Sequence, residues 1–499
     1  MTLSADKEVI VTAHNTNPAA PAATSAELTG MDALELSAAI KNRVVSCREV
    51  MRAFLSQISL LNQHVNAIVA LRDEGELLAE ADEYDRLLHR GEYRGVMHGF
   101  PHAVKDLADA AGFATTKGSP LLVNNFPSQD SLFVQRIRDA GAIIIGKTNT
   151  PEFGLGSQTY NQVFGTTRNA YDSAWCAGGS SGGAAVALAL RMLPVADGTD
   201  FMGSLRNPAA FNNVIGFRPS FGRVPEPGYV AAPSVAGPMS RTVTDAAMLL
   251  SVMSGPDSSA PLAIEQDASV FAGNLAEDHR GTRIAWVGDF DGHLATEPGL
   301  LELCRKSFDV FEDLGCIVED ALPSMPVHKA WETFLIWRHW LVSGALYPFY
   351  ADPVTRKQLK PEVIWEVEGG LRLSGHDVYR ASEQRNQWYA SVQALLKTYD
   401  FILAPSAQVF PFDADLPWPR TINGRPMDTY HRWMETVAPW SLANLPVLNL
   451  PVGFDERGRP MGVQLIGRNH ADLDVLRLGH AYDQATQWAR RRAPRLISR

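Results

Sequence analysis

Residues 178–183 read GGSSGG, and the run AAVALALRMLPVA follows at once. Four glycines and two serines are the composition of a flexible linker. The same residues suit a tight turn that lets backbone and a hydroxyl come close to a reacting group. The neighbours argue against a linker. A helix of alanine and leucine, ending near Pro194, is predicted to begin directly after the last glycine. A chain built this way has to fold with the glycine turn held between ordered segments.

The rest of the chain supplies those segments. From about Ala33 to Leu71, leucine, isoleucine and valine recur three and four apart, which predicts helix. GFPHAVKD at 99–106 reads as a short strand or turn entering a buried lysine, and GAIIIGKT at 141–148 holds a β-branched strand. TRIAWVGDF (282–290), a helix around 297–314 and CIVED (316–320) form a β-α-β pattern. FILAPS, VLNLPVGF and MGVQLIG, nearer the end, read as buried strands. Strands alternating with helices predict an α/β layer fold. One domain is expected over 26–499, preceded by a mobile tail over 1–25.

Composition narrows the function. The net charge of -10 argues against autonomous nucleic-acid binding, which needs a basic footprint, and against an anionic membrane surface. Cys47, Cys176, Cys304 and Cys316 are scattered with no CxxC pair, so neither a disulfide framework nor a zinc site is expected. A reducing, cytoplasmic compartment is the default. The first residues lack the charge and apolar run of a signal peptide, and no apolar stretch is long enough for a membrane span.

Two motif matches are formal. GAIIIGKT fits the phosphate-loop pattern, but the residues between its glycines are the strand itself. GGSSGG fits GxSxG at Ser180 and at Ser181, yet RNAYDSAWCA before it is not the buried strand that a nucleophile elbow requires. A Ser-His-Asp site would have to draw on partners such as Asp400 and His431. Cys176 could be a thiol nucleophile, though a small buried hydrophobe is the simpler reading.

Three segments carry the chemistry together. They are GFPHAVKDLADAAGFATTKGS with Lys105, GGSSGG with Ser180 and Ser181, and DGTDFMGSLRNPAA with Ser204. With KTNTPEFGLGSQTYNQVFGTTRN, NVIGFRPSFGRVP, GPMSRTVTDAAMLL and LPVLNLPVGF, the chain resembles the amidase signature family of serine hydrolases over about residues 30–490. The resemblance implies a three-layer α/β/α fold with a large central mixed sheet surrounded by helices. It also implies a Ser-cisSer-Lys triad. Ser204 would be the nucleophile, Ser180 the bridging serine behind a cis Gly179–Ser180 bond, and Lys105 the base. Phe201, Met202, Gly203 and Ser204 would supply oxyanion amides, and Ser181, Asp200 and Arg206 would support the triad. Relatives often carry two glycines before the nucleophile. Here Phe-Met-Gly precedes it, which leaves the loop geometry open.

The residue types suit that chemistry on their own terms. A serine hydroxyl is a poor nucleophile until a base takes its proton. Lysine can be that base only when neutral, so burial and neighbouring positive charge must lower its pKa from about 10.4 toward ~7–8. Asp106 would oppose this if it faced the amine, so it is expected to point elsewhere. No metal or organic cofactor is needed.

The expected substrate is a small-molecule amide. Residues 331–350 hold seven aromatics, with Trp331, Phe334, Trp337 and Trp340 three apart. They read as core packing or a contact between copies, as in a homodimer, and alternatively as a wall for a hydrophobic or aryl substrate. Trp418, Tyr430, Trp433 and Trp440 form a second cluster. The helical middle segment, about 325–395, would shape the pocket. His98 is expected to be structural, and His102 to pack or to line the pocket. A carbamate or ester hydrolase with the same triad, the amidase component of a tRNA-dependent amidotransferase and an inactive binding scaffold remain alternatives.

Overall fold

A computed structural model describes residues 24–497. Most of the expected tail, residues 1–25, lies outside the described residues. Within them Thr24 caps a short helix, Ser25–Gly30. The expected helix over 33–71 is broken into Ala33–Lys41 and Cys47–Val65, followed by the strand Ile68–Val69. Capping residues explain the breaks. Arg43 takes a left-handed φ of 58°. Ser46 then opens a new helix in a capping box with Glu49, and Asn66 ends it in the left-handed region. Apolar periodicity runs through such a turn without registering it.

Eight strands form one mixed sheet. Their order is Ile317–Asp320, Arg283–Trp286, Phe401–Pro405, Pro460–Ile466, Val447–Phe454, Ile215–Arg218, Val235–Ser240 and Ala196–Asp200. The first three run parallel, and all later neighbours are antiparallel. This large central sheet, with helices around it, is the α/β fold expected from the sequence. The strand Ile317–Asp320 sits at one edge and is largely exposed. The expected helix at 297–314 is two helices, Leu300–Arg305 and Ser307–Asp313.

The lysine strand, Pro101–Lys105, belongs to a separate three-stranded sheet. It runs parallel to Ile143–Thr148, with a register shift between His102 and Ala103. Ile143–Thr148 is the strand predicted inside the phosphate-loop match. It is buried throughout, and its Lys147 Nζ donates to the Ala108 carbonyl at 2.7 Å.

GGSSGG leads into the helix Gly182–Ala189, every residue of which is buried. The glycines are there for contact. A Cβ on Gly183 would stand 2.4 Å from Asn149 N and 2.6 Å from Ala67 O. Only a bare backbone fits, which excludes the linker reading. The helix stops at Ala189, short of Pro194.

In the middle segment, Val327–Ala351, Pro361–Leu371 and Gly375–Leu396 are helices. Trp331, Phe334 and Trp337 are buried in the main core. No helix among the described residues is long and apolar enough to cross a membrane.

Candidate active site

Lys105 ends its strand and is wholly buried. Its Nζ donates to Ser180 Oγ and Ser181 Oγ, both at 2.8 Å, and to Thr199 Oγ1 at 2.9 Å. Burial pulls its pKa from the ordinary 10.5 down to about 7, against Asp197 and Asp200, whose charges act to raise it. Neighbouring positive charge was expected to share in the depression, but desolvation does the work here. Asp106 turns away, as expected. Its carboxylate accepts from the Thr116 amide at 3.1 Å and lies 3.8 Å from Lys147 Nζ.

Sequence reasoning missed Asp197. This carboxylate is buried beside the lysine strand and accepts the Lys105 backbone N–H at 3.2 Å. His102, also buried, lies with Nε2 3.0 Å from Asp197 Oδ1. His102 therefore packs inside and does not line a pocket. His98 is structural: Nδ1 accepts from the Arg94 amide at 3.1 Å, and Nε2 sits 3.0 Å from the Tyr84 carbonyl.

The Gly179–Ser180 peptide bond is cis. The Ser181 amide donates to the Ser204 carbonyl at 3.3 Å, which joins the glycine turn to the third segment. Ser204 is 7% exposed, against 2% for Ser180 and 0% for Lys105, so the outermost hydroxyl is the proposed nucleophile's. Among the described residues no hydrogen bond joins Ser180 Oγ to Ser204 Oγ.

The loop 201–204 follows the strand Ala196–Asp200 and precedes the helix Arg206–Phe211. Asp200 shapes it. Its Oδ1 accepts the Gly203 amide at 2.8 Å, and its Oδ2 accepts the Leu205 amide at 3.2 Å. Of the expected oxyanion donors, Gly203 is thus committed to the loop itself. The amides of Phe201, Met202 and Ser204 take no hydrogen bond among the described residues. Gly203 has φ +81°, and a Cβ there would lie 2.7 Å from Val437 Cγ2. Met202 does not adopt a left-handed φ, so the backbone tolerates methionine at that position.

Arg206 grips Asp200 with Nε and Nη2, each at 2.9 Å. Burial would raise the Asp200 pKa, but Arg206, with Arg218, outweighs it and holds the carboxyl well below the usual range. Asp200 therefore stays charged and keeps the loop amides in place.

The aromatic helix reaches this loop. The Phe334 ring meets Phe201 edge-on at 5.9 Å, and the Arg338 guanidinium lies 5.1 Å over the Phe201 ring. Of the second aromatic cluster, Trp433 and Trp440 are core, while Trp418 and Tyr430 line a cleft of about 960 Å³ with Tyr160, Lys360 and Trp365. Lys105, Ser180 and Ser204 do not line it. The segment Glu152–Leu155 stands between: a Cβ on Gly154 would lie 3.7 Å from Ser180 Oγ, and Lys360 Nζ donates to the Leu155 carbonyl.

The alternative partners are elsewhere. Asp400 accepts from the Arg283 amide at 3.0 Å, and His431 Nδ1 lies 3.0 Å from Thr429 Oγ1. Neither is hydrogen-bonded to Ser180, Ser181 or Ser204. All four cysteines are buried and unpaired, and burial pushes the Cys176 thiol up to about 12, away from nucleophilic use. Among the described residues no cluster of histidine, cysteine and carboxylate side chains could hold a metal ion.

An α/β sheet of this topology, with a buried lysine under a glycine-serine turn, defines an amidase signature enzyme. The chain belongs to that family, whose Amidase family model matches residues 49–476. It is 31% identical over 480 residues to an acylamidase from Rhodococcus erythropolis, spanning 93% of this chain and 98% of that one. It is 32% identical over 480 residues to a component of the glutamyl-tRNA(Gln) amidotransferase of Methylococcus capsulatus, spanning 91% and 96%. The solved structure of a bacterial aryl acylamidase aligns with a TM-score of 0.85 at 26% identity, covering 94% of this chain and 98% of that chain.

Proposed function

We propose that the protein hydrolyses the C–N bond of carboxylic amides, with hydrophobic or aryl amides preferred, through an acyl-enzyme on Ser204. The observation that carries the reading is the Lys105 amine, buried, with a pKa near 7 and 2.8 Å from Ser180 Oγ. A lysine in that state can accept a proton at neutral pH.

Ser204 Oγ attacks the amide carbonyl. Its proton passes to Ser180, and the Ser180 proton passes to Lys105. Substrate binding has to draw Ser204 Oγ onto Ser180 Oγ, since catalytic hydrogen bonds often tighten only in the complex. Negative charge on the carbonyl oxygen is met by the amides of Phe201, Met202 and Ser204, and one such donor contributes about 3–4 kcal/mol. The relay then returns a proton to the leaving amine, and water, activated by the same relay, hydrolyses the ester. No step calls for a cofactor.

The aryl preference rests on Phe201, which is backed by Phe334 and Arg338 beside the nucleophile, and on the acylamidase and aryl acylamidase relatives. The reading is of a cytoplasmic enzyme acting on small molecules. Acetamide, benzamide and acetanilide, assayed with product mass measurement, test it. The aryl amides should exceed acetamide in kcat/KM by at least about tenfold, as expected for burying a ring in an apolar site. Acetamide as the best substrate would sink the preference. Fluorophosphonate labelling at Ser204 tests the nucleophile: labelling elsewhere, or none on folded protein, would remove the acyl-enzyme.

A further inference from the structure

Two carboxylates bear on the Lys105 amine, Asp197 and Asp200. They differ in what neutralises them. Asp200 is gripped by Arg206 and faced by Arg218 Nη1 at 3.4 Å. Asp197 has no guanidinium or ammonium within ion-pair distance among the described residues; its partner at that distance is His102. Lys147, a further cation nearby, has its own carboxylate, Asp106, at 3.8 Å, although the Asp197 charge also acts on it.

The hydrogen bonds indicate which atom of the pair donates. His102 Nδ1 is buried and takes no hydrogen bond among the described residues. A protonated ring would leave an N–H there with no acceptor, which is costly in a dry interior. A neutral ring with its proton on Nε2 leaves only a lone pair and donates to Asp197. The contacts fit a His102 that donates from Nε2 to the Asp197 carboxylate, with no guanidinium or ammonium paired to that carboxylate among the described residues. Asp197 also accepts the Lys105 N–H with both oxygens, at 3.3 and 3.2 Å. One carboxylate therefore ties down the end of the lysine strand and lends its field to the amine.

We propose that Asp197, seated by His102, is a positioning residue for Lys105: it anchors the strand end and holds the negative charge that sets the pH at which the base becomes neutral. This rests on the reading of Lys105 as the base. Opposite charge favours the protonated amine, so removing it should make the base neutral at lower pH.

The test is the second-order rate of fluorophosphonate labelling of Ser204, followed from pH 5 to 9. In Asp197→Asn the acid limb should move down by about one pH unit, the lower end for a neighbouring charge, with the alkaline plateau within a few-fold of wild type. The double variant His102→Gln/Asp197→Asn, an uncharged amide pair, should shift the same way, and it serves if the single variant does not fold. An unmoved limb with a lowered plateau would make Asp197 merely structural, and an upward shift would reverse its role. Either result overturns the proposal, as does failure of both variants to fold. Lys105→Ala is run in parallel. If it kept the wild-type limb, the assignment of Lys105 as base would fail, whatever Asp197 does.

Discussion

At Lys105, burial opposes charge, and the balance has consequences in both catalysis and folding. In the proposed mechanism the active form is the neutral amine, so kcat/KM should rise with pH through about 7. The same depression acts on stability. The unfolded lysine keeps its proton up to about 10.5, whereas the folded one releases it near 7. Between these values the unfolded state binds more protons, so native stability rises with pH across that window. Below pH 7 the penalty of the buried ammonium is fully present. Lys105→Met should abolish turnover yet be at least as stable at pH 7. Its stability relative to wild type, followed by denaturant midpoints, should fall as pH rises toward 10. An equal pH slope in both proteins would refute the shift. At this scale the sequence was informative: lysine in AVKDLA, two serines among glycines and a third serine downstream were readable as a set. Asp197 was not, because nothing in PVADGTD says that its carboxylate turns onto the strand Pro101–Lys105, more than ninety residues earlier.

The loop after Asp200 and the helices that meet it are the elements on which the proposed chemistry depends. Gly203 combines a left-handed φ with contact against Val437. Gly203→Ala must move the loop, and misplaced donors should cost about 10²–10³ in kcat with little change in KM, since one donor is worth that much. Steady-state kinetics decides it, and an unchanged kcat would show that the loop adapts. Capping gives a milder prediction. Ser46 accepts the Glu49 amide at 3.1 Å, so Ser46→Ala should cost about 1 kcal/mol in denaturant unfolding with activity unchanged. Apolar spacing alone merged the two helices, because period 3.6 continues across a short non-helical turn.

Across the whole molecule, Arg206 joins distant parts of the chain. It holds Asp200, and it also donates to the Val437 carbonyl at 3.1 Å, to Gln464 Oε1 and to Ser441 Oγ at 2.7 Å. These partners lie 231 or more residues downstream. Arg206→Met would strand part of a buried carboxylate's pairing and should destabilise the fold by about 3–5 kcal/mol, read as a lowered denaturant midpoint. A loss below 1 kcal/mol would mean that Arg218 suffices. Arg283–Trp286, Phe401–Pro405, Val447–Phe454 and Pro460–Ile466 were legible as apolar runs, because burial on a sheet demands them whatever their order, whereas Ala196–Asp200, Ile215–Arg218 and Val235–Ser240 lack such runs and were not read as strands. The order was not legible. Antiparallel pairing of Val447–Phe454 with Ile215–Arg218 joins segments far apart in sequence, and only their packing together selects it. The sequence by itself determined the residue types of the candidate site, because the proposed nucleophile, relay and base are local chemical requirements carried by three short segments. Tertiary structure alone decided that the lysine is buried, that Asp197 accepts its backbone N–H while Asp106 turns to Thr116, and that the Gly203 amide serves the loop. Each of these depends on which distant groups exclude water or complete a hydrogen bond.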